Sequence, residues 1–190
     1  MNWRTGVAAL VLCAAGGCAS SPQVTYFSLA PIDRGAERIA GAPAPVQVVQ
    51  VHLPPSLDRR EMVRLTGSYS LQISDEHRWA APLDEMTRRV LSQDLMQLLP
   101  PGTVVLPQAP APQGTRKIVV NILQFAPDAA GTVQLQGSWT VVAADAHSAP
   151  ESHAVQLTSQ ASATEPADQV RAMSEVLEEL AQAMVKALQP

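Results

Sequence analysis

The sequence predicts an α+β fold: a largely antiparallel β-sheet with two amphipathic α-helices packed on one face, in a single domain. Three observations carry this reading. Segments 82–99 and 166–188 repeat apolar residues every three or four positions, the period of a helix with one buried side. Short β-branched or alternating segments come in groups separated by these helices, rather than one strand before each helix. The length of 190 residues leaves room for one ordinary core and extensions, but hardly for two cores.

The chain opens on an address. Met1–Thr5 carries one positive charge, Arg4; the apolar run Gly6–Leu12 follows and closes on Ala14-Ala15-Gly16-Gly17. This is the layout of a secretory signal peptide, too short to remain as a membrane-spanning helix. Ala15-Gly16-Gly17-Cys18 resembles the bacterial lipobox, with Ala15 where leucine is usual. That resemblance implies that residues 1–17 are removed and that Cys18 carries the acyl chains, palmitate among them. Each buried methylene contributes about 0.8 kcal/mol, so two or three chains hold the protein effectively permanently. Cys13, the other cysteine, would leave with the signal. By resemblance to Gram-negative sorting rules, Ala19 beside the lipidated cysteine, in place of aspartate, implies the outer membrane, with the domain on its periplasmic face. Residues 18–23 are then a lipidated tether and 24–190 the folded domain. Ala19–Gln23 span less than about 20 Å, which keeps that domain close to its membrane.

Val24–Leu29 reads as a first short strand, and the proline-rich 40–45 as a stiff connection. Val46–Leu53 is β-branched, but its apolar phase slips between Val48 and Val49, which predicts either a bulge or burial on both faces. Met62–Thr66 and Tyr69–Ser74 flank Gly67-Ser68, a hairpin signal, with Tyr69, Leu71 and Ile73 on one apolar face. The first helix takes Pro82 in its first turn, Asp84 and Glu85 against its dipole, and stops at Pro100-Pro101-Gly102. Lys117–Phe125 is apolar enough for a central strand. Thr132–Ala143 alternates cleanly between Val133, Leu135, Trp139, Val141 and a Gln/Thr/Ser side, and Ser152–Ala163 repeats this more weakly. The closing helix carries Val170, Met173, Leu177, Leu180, Met184 and Leu188 on one side, with Glu175, Glu178, Glu179 and Lys186 on other faces.

The formal charge is −4, and loss of Arg4 makes it −5. A nucleic-acid binder needs a basic footprint, so that class is excluded as a reading. With 4% aromatic residues, stacking platforms have little raw material. After Cys18 there is no GxSxG, Walker loop, HExxH or CxxC. Gly67-Ser68 and Gly137-Ser138 fall in a hairpin loop and in mid-strand, where a structural role is expected. His52, His77, His147 and His153 form no i, i+4 pair, so neither a metal nor another cofactor is expected. Asp84/Glu85 and Glu178/Glu179 are adjacent pairs, suited to capping and solvation rather than to paired-acid catalysis. No catalytic residue stands out; the expectation is a protein that is not an enzyme.

One loop is unusual. Leu53–Val63 packs prolines, leucines and opposed charges between two strands, and His77-Arg78-Trp79-Ala80-Ala81-Pro82-Leu83 leads into the first helix. Plain structural roles are open to these residues: Asp58 pairing with Arg59 or Arg60, and Trp79 stapling the helix start. Leu57, Asp58, Arg59, Arg60, Arg78 and Trp79 equally suit a partner-binding hot spot. The hairpin between the two segments should return the chain and bring them together.

LPPSLDRREMV, followed some twenty residues on by RWAAPLDEMTRRVLSQDLMQLLP, resembles the PqiC-like auxiliary lipoproteins of ABC-type transport. The resemblance runs from Tyr26-Phe27-Ser28-Leu29 onward and departs at Ser56, usually aromatic, and at Ala81, usually acidic. It implies a non-enzymatic docking or structural subunit of an intermembrane lipid-transport system. The implied partners are an MCE-domain protein that spans the periplasm and its inner-membrane transport components. A homo-oligomer is left open. The alternative is a lipoprotein that itself binds and carries a lipid or another hydrophobic ligand. That reading requires an enclosed apolar cavity.

Overall fold

The computed structural model describes residues 23–35, 38–39, 44–145 and 148–189. Cys18 and His147 lie outside the described residues. Among the described residues, seven strands and two helices follow in the order β1 (Thr25–Phe27), β2 (Val46–His52), β3 (Glu61–Gly67), β4 (Ser70–Trp79), α1 (Leu83–Leu98), β5 (Arg116–Pro127), β6 (Thr132–Val142), β7 (Glu151–Gln160) and α2 (Pro166–Leu188).

The strands divide into two sheets, where sequence periodicity suggested one. The larger has the order β2-β5-β6-β7 and the smaller β1-β4-β3. Most pairings are antiparallel, as expected, but each sheet contains one parallel pair, β2 with β5 and β1 with β4. A parallel partner must arrive by a long crossover. The β3–β4 hairpin and α1 provide it for β2 and β5.

The phase slip in β2 is a bulge. Val48 pairs with Ile118, then Gln50 pairs with Val119, and Val49 is the extra residue. In the larger sheet, Val120 faces Trp139 and Phe125 faces Leu135 on one side, and all four are buried. Leu135 faces Leu157 across the next ladder. Trp139 stacks on His153 with ring centroids 4.2 Å apart. The helices pack against each other, α1 also contacting β2 and α2 contacting β5, β6 and β7. On the opposite side, Gln124 donates to Gln134, Thr132 donates to Gln160, and Thr140 bonds Ser152.

Gly137 occupies mid-strand for a steric reason. A Cβ there would stand 2.1 Å from the Asn121 carbonyl oxygen. This is the close backbone approach that an interior strand glycine signals.

Helix α1 has no side-chain N-cap; Asp84 and Glu85 fill its first turn, and Leu99 N–H closes on the Leu95 carbonyl at 2.9 Å. Helix α2 starts on Pro166. Its last carbonyl, of Leu188, accepts from both terminal nitrogens of Arg116 at 3.3 Å. Burial lowers the Arg116 pKa, and the nearby Glu151 acts in the opposite sense.

Glu178 corrects the sequence reading of a solvated acid. It is 2% exposed and lies beside Asp94 of α1, itself 1% exposed. Arg34, from the segment between β1 and β2, reaches Glu178 at 3.3 Å and Glu179 at 3.9 Å. Gln182 donates to the other Glu178 oxygen. Neither carboxylate oxygen of Asp94 has a side-chain hydrogen-bond partner.

Candidate functional site

The unusual loop and the run into α1 do meet. Trp79 N–H donates to the Arg60 carbonyl at 2.7 Å, and Glu61 pairs with Arg78 across β3 and β4. On the other edge of β4, Tyr26 of β1 pairs with Arg78. One rung therefore carries Tyr26, Arg78 and Glu61 side by side. Ala80 N–H donates to the Phe27 carbonyl at 2.8 Å, tying the chain after β4 to β1.

The loop is held by its own backbone. Leu57 and Asp58 N–H both donate to the Pro54 carbonyl, at 2.9 and 3.1 Å, and Arg59 N–H donates to the Leu57 carbonyl at 2.9 Å. These turns point Leu57 inward, where it is 6% exposed, and leave Asp58 and Arg60 in solvent. Arg59 is half-exposed and contacts Glu61 at 3.5 Å. The acid it meets is thus Glu61, not Asp58. Arg78 is half-buried, and its Nε finds no hydrogen-bond partner.

Six residues were expected at a contact surface, and they divide by burial. Leu57 and Trp79 belong to the hydrophobic core, with Trp79 4% exposed. They fix the loop and the start of α1 from beneath. Asp58, Arg59, Arg60 and Arg78 are what the surface presents. Its exposed aromatic is Tyr26, which a sequence reading places only as strand. Position 26 could have been singled out because Tyr26 and Phe27 are alternating neighbours, so a Phe27 packed on the core leaves Tyr26 facing out.

Among the described residues, no group of three His, Cys, Asp or Glu side chains is placed to hold a metal ion. Also among them, no helix is long and apolar enough to cross a membrane. An open groove of about 360 Å³ lies between the β3–β4 hairpin and the first turn of α2. Arg64, Asp75, Glu76 and His77 line it together with Val63 and Ile73.

Fold and surface together define a small α+β domain that carries a charged loop cluster beside the exposed Tyr26. The family of ABC-type transport auxiliary lipoprotein components matches residues 27–185. The chain is 30% identical over 140 residues to the intermembrane transport lipoprotein PqiC of Escherichia coli K12, across 73% of this chain and 72% of that protein. The same values hold for PqiC of Shigella flexneri. The crystal structure of an uncharacterised protein superposes with a TM-score of 0.74 at 18% identity, covering 88% of this chain and 99% of that one. A crystal structure of a protein from Xanthomonas campestris gives 0.67 at 14% identity, covering 85% and 92%. These two share the fold. The chain belongs to the ABC-type transport auxiliary lipoprotein family, which is not a class of enzyme.

Proposed function

We propose that this protein is an outer-membrane-anchored periplasmic lipoprotein, the docking and structural subunit of an MCE-type intermembrane lipid-transport system that maintains membrane integrity. Family membership and the likeness to PqiC support a place in intermembrane transport. The observation that carries docking is the cluster of Asp58, Arg59, Arg60, Arg78 and Tyr26, presented over the buried Leu57 and Trp79. On a chain of net negative charge, three arginines at one place form a local positive site for an acidic partner. A domain tethered within about 20 Å of its membrane cannot cross the periplasm. Its partner, an MCE-domain protein with inner-membrane transport components, must reach it.

Cys18 is the proposed lipidation site. Cys18→Ser is expected to leave the precursor uncleaved by lipoprotein signal peptidase and without label from radioactive palmitate. Label that persists in the variant, or a wild-type mature protein that stays soluble, would refute this.

Arg59→Glu tests the docking surface. The Arg59–Glu61 contact is half-exposed, so losing it should cost no more than about 1 kcal/mol. The melting temperature should hardly move, while co-purification with the MCE-type partner falls about tenfold or more, as reversal of a charge within a contact does. A clearly lowered melting temperature, or undiminished co-purification, counts against docking through Arg59.

The lipid-carrier alternative is less well supported. The groove beside the hairpin is open and lined by charged groups rather than enclosed and apolar.

A further inference from the structure

Toward its turn, the β3–β4 hairpin carries an apolar face that the protein itself covers only in part. Tyr69 at the turn is fully exposed, and Leu71 and Ile73 are 45% and 43% exposed. Leu65 pairs with Leu71 on the same face and packs against the core, marking where the covered part of the face ends. The alternation in sequence groups Tyr69, Leu71 and Ile73 on one apolar face. From Leu65 to Ser74 there is no charged residue, on a chain of net negative charge. An uncharged, tyrosine-tipped hairpin suits the boundary between headgroups and acyl chains, where an amphipathic ring is at home.

Its position relative to the tether selects the occupant. Strand β1 runs parallel to β4, and β4 runs away from the hairpin turn. The chain that precedes β1 therefore enters from the side of the turn. From the rung of Tyr26, Arg78 and Glu61, β3 rises six residues to Gly67, about 20 Å. From Tyr26 back to Cys18 are eight residues, enough to reach about 26 Å. The tether is long enough to bring Cys18 level with the turn.

We propose that the β3–β4 hairpin, through Tyr69, Leu71 and Ile73, rests in the headgroup boundary of the same bilayer that holds Cys18. This rests on the reading that Cys18 is acylated. The lipid anchor and the hairpin turn then give the domain two points of contact. They fix its orientation, and the arginine cluster stands about 20 Å above the membrane.

The test uses the acylated, processed chain with Tyr69→Cys, in which position 69 holds the one free thiol. It is labelled with an environment-sensitive fluorophore and reconstituted into phosphatidylethanolamine–phosphatidylglycerol vesicles containing lipids spin-labelled near the headgroup. Gln156→Cys, on the outer side of the larger sheet, is the control. Intact mass and vesicle flotation report the anchor separately. The expected result is quenching at position 69 at least about twofold greater than at 156, with emission shifted to the blue. Flotation with equal quenching at both positions overturns the hairpin contact and leaves the anchor standing. An unacylated chain that fails to float overturns both. Two other outcomes place a different occupant on the hairpin and also overturn the proposal. One is self-cross-linking of the unlabelled Tyr69→Cys chain with no quenching of the labelled one. The other is a label shielded only when a protein partner is added.

Discussion

Leu180→Asp is expected to abolish the cooperative thermal transition of the domain. Leu180 is 0% exposed on α2, in one cluster with Val176, Leu177 and Met184. Removing a buried leucine side chain costs about 2–5 kcal/mol, and an aspartate there is an unpaired charge in an apolar setting. A domain of this size is stable by only about 5–15 kcal/mol, so the sum reaches the whole margin. Circular dichroism on heating decides the matter. A variant that keeps the wild-type melting temperature and loses only its binding to vesicles would place α2 on the membrane surface instead.

Asp94→Asn is expected to stabilise the protein above neutral pH and to remove a pH dependence. Burial raises the Asp94 pKa from 3.8 to about 7; the Ile32 amide opposes this and Glu178 adds to it. Arg34 pairs with Glu178 and with the neighbouring Glu179. Between about pH 4 and 7 the folded state holds a proton that the unfolded chain has released. Wild-type stability therefore falls as pH rises through that window, by up to roughly 4 kcal/mol, and levels off above it. Asparagine carries no charge at either end. At pH 8 the variant should melt higher by about 5–10 °C, as a gain of 2–4 kcal/mol implies for this chain length, and near pH 4 the two should nearly coincide. Parallel pH profiles for the two proteins would show that Asp94 does not titrate in this range.

The helices were legible in the sequence because their apolar period is long and uninterrupted, as Val170 through Leu188 shows. The β2 bulge was legible too, since one extra residue must break the apolar phase at Val48 and Val49. Strand partners were not legible. Alternation in β6 fixes which residues share a face, but nothing local to β1 announces that β4, some fifty residues on, will be its parallel neighbour. For the same reason one sheet was expected where there are two. Burial was misjudged where a periodic pattern could serve either of two ends. Glu178 reads as a solvated acid and is inside because Arg34, far off in sequence, comes to meet it. At the charged loop cluster, the meeting of Arg60 with Trp79 followed from the hairpin between them. That Trp79 and Leu57 would be core, leaving Tyr26 as the exposed aromatic, depends on packing across β1, β4 and α1 that no local pattern encodes.

The parallel pairing of β1 with β4 has a mechanical consequence. A pull on the residues preceding Thr25 acts along the strand axis, toward the hairpin turn. In that direction the β1–β4 hydrogen bonds are strained together, like a lap joint, and are not peeled open one after another. Behind the joint, the contact of Arg34 with Glu178 and Glu179 holds the following segment to α2. A strand of three residues would be a weak fastening if it were peeled. Pulled lengthwise, it can transmit tension from the N-terminal side into the body of the domain, next to the arginine cluster.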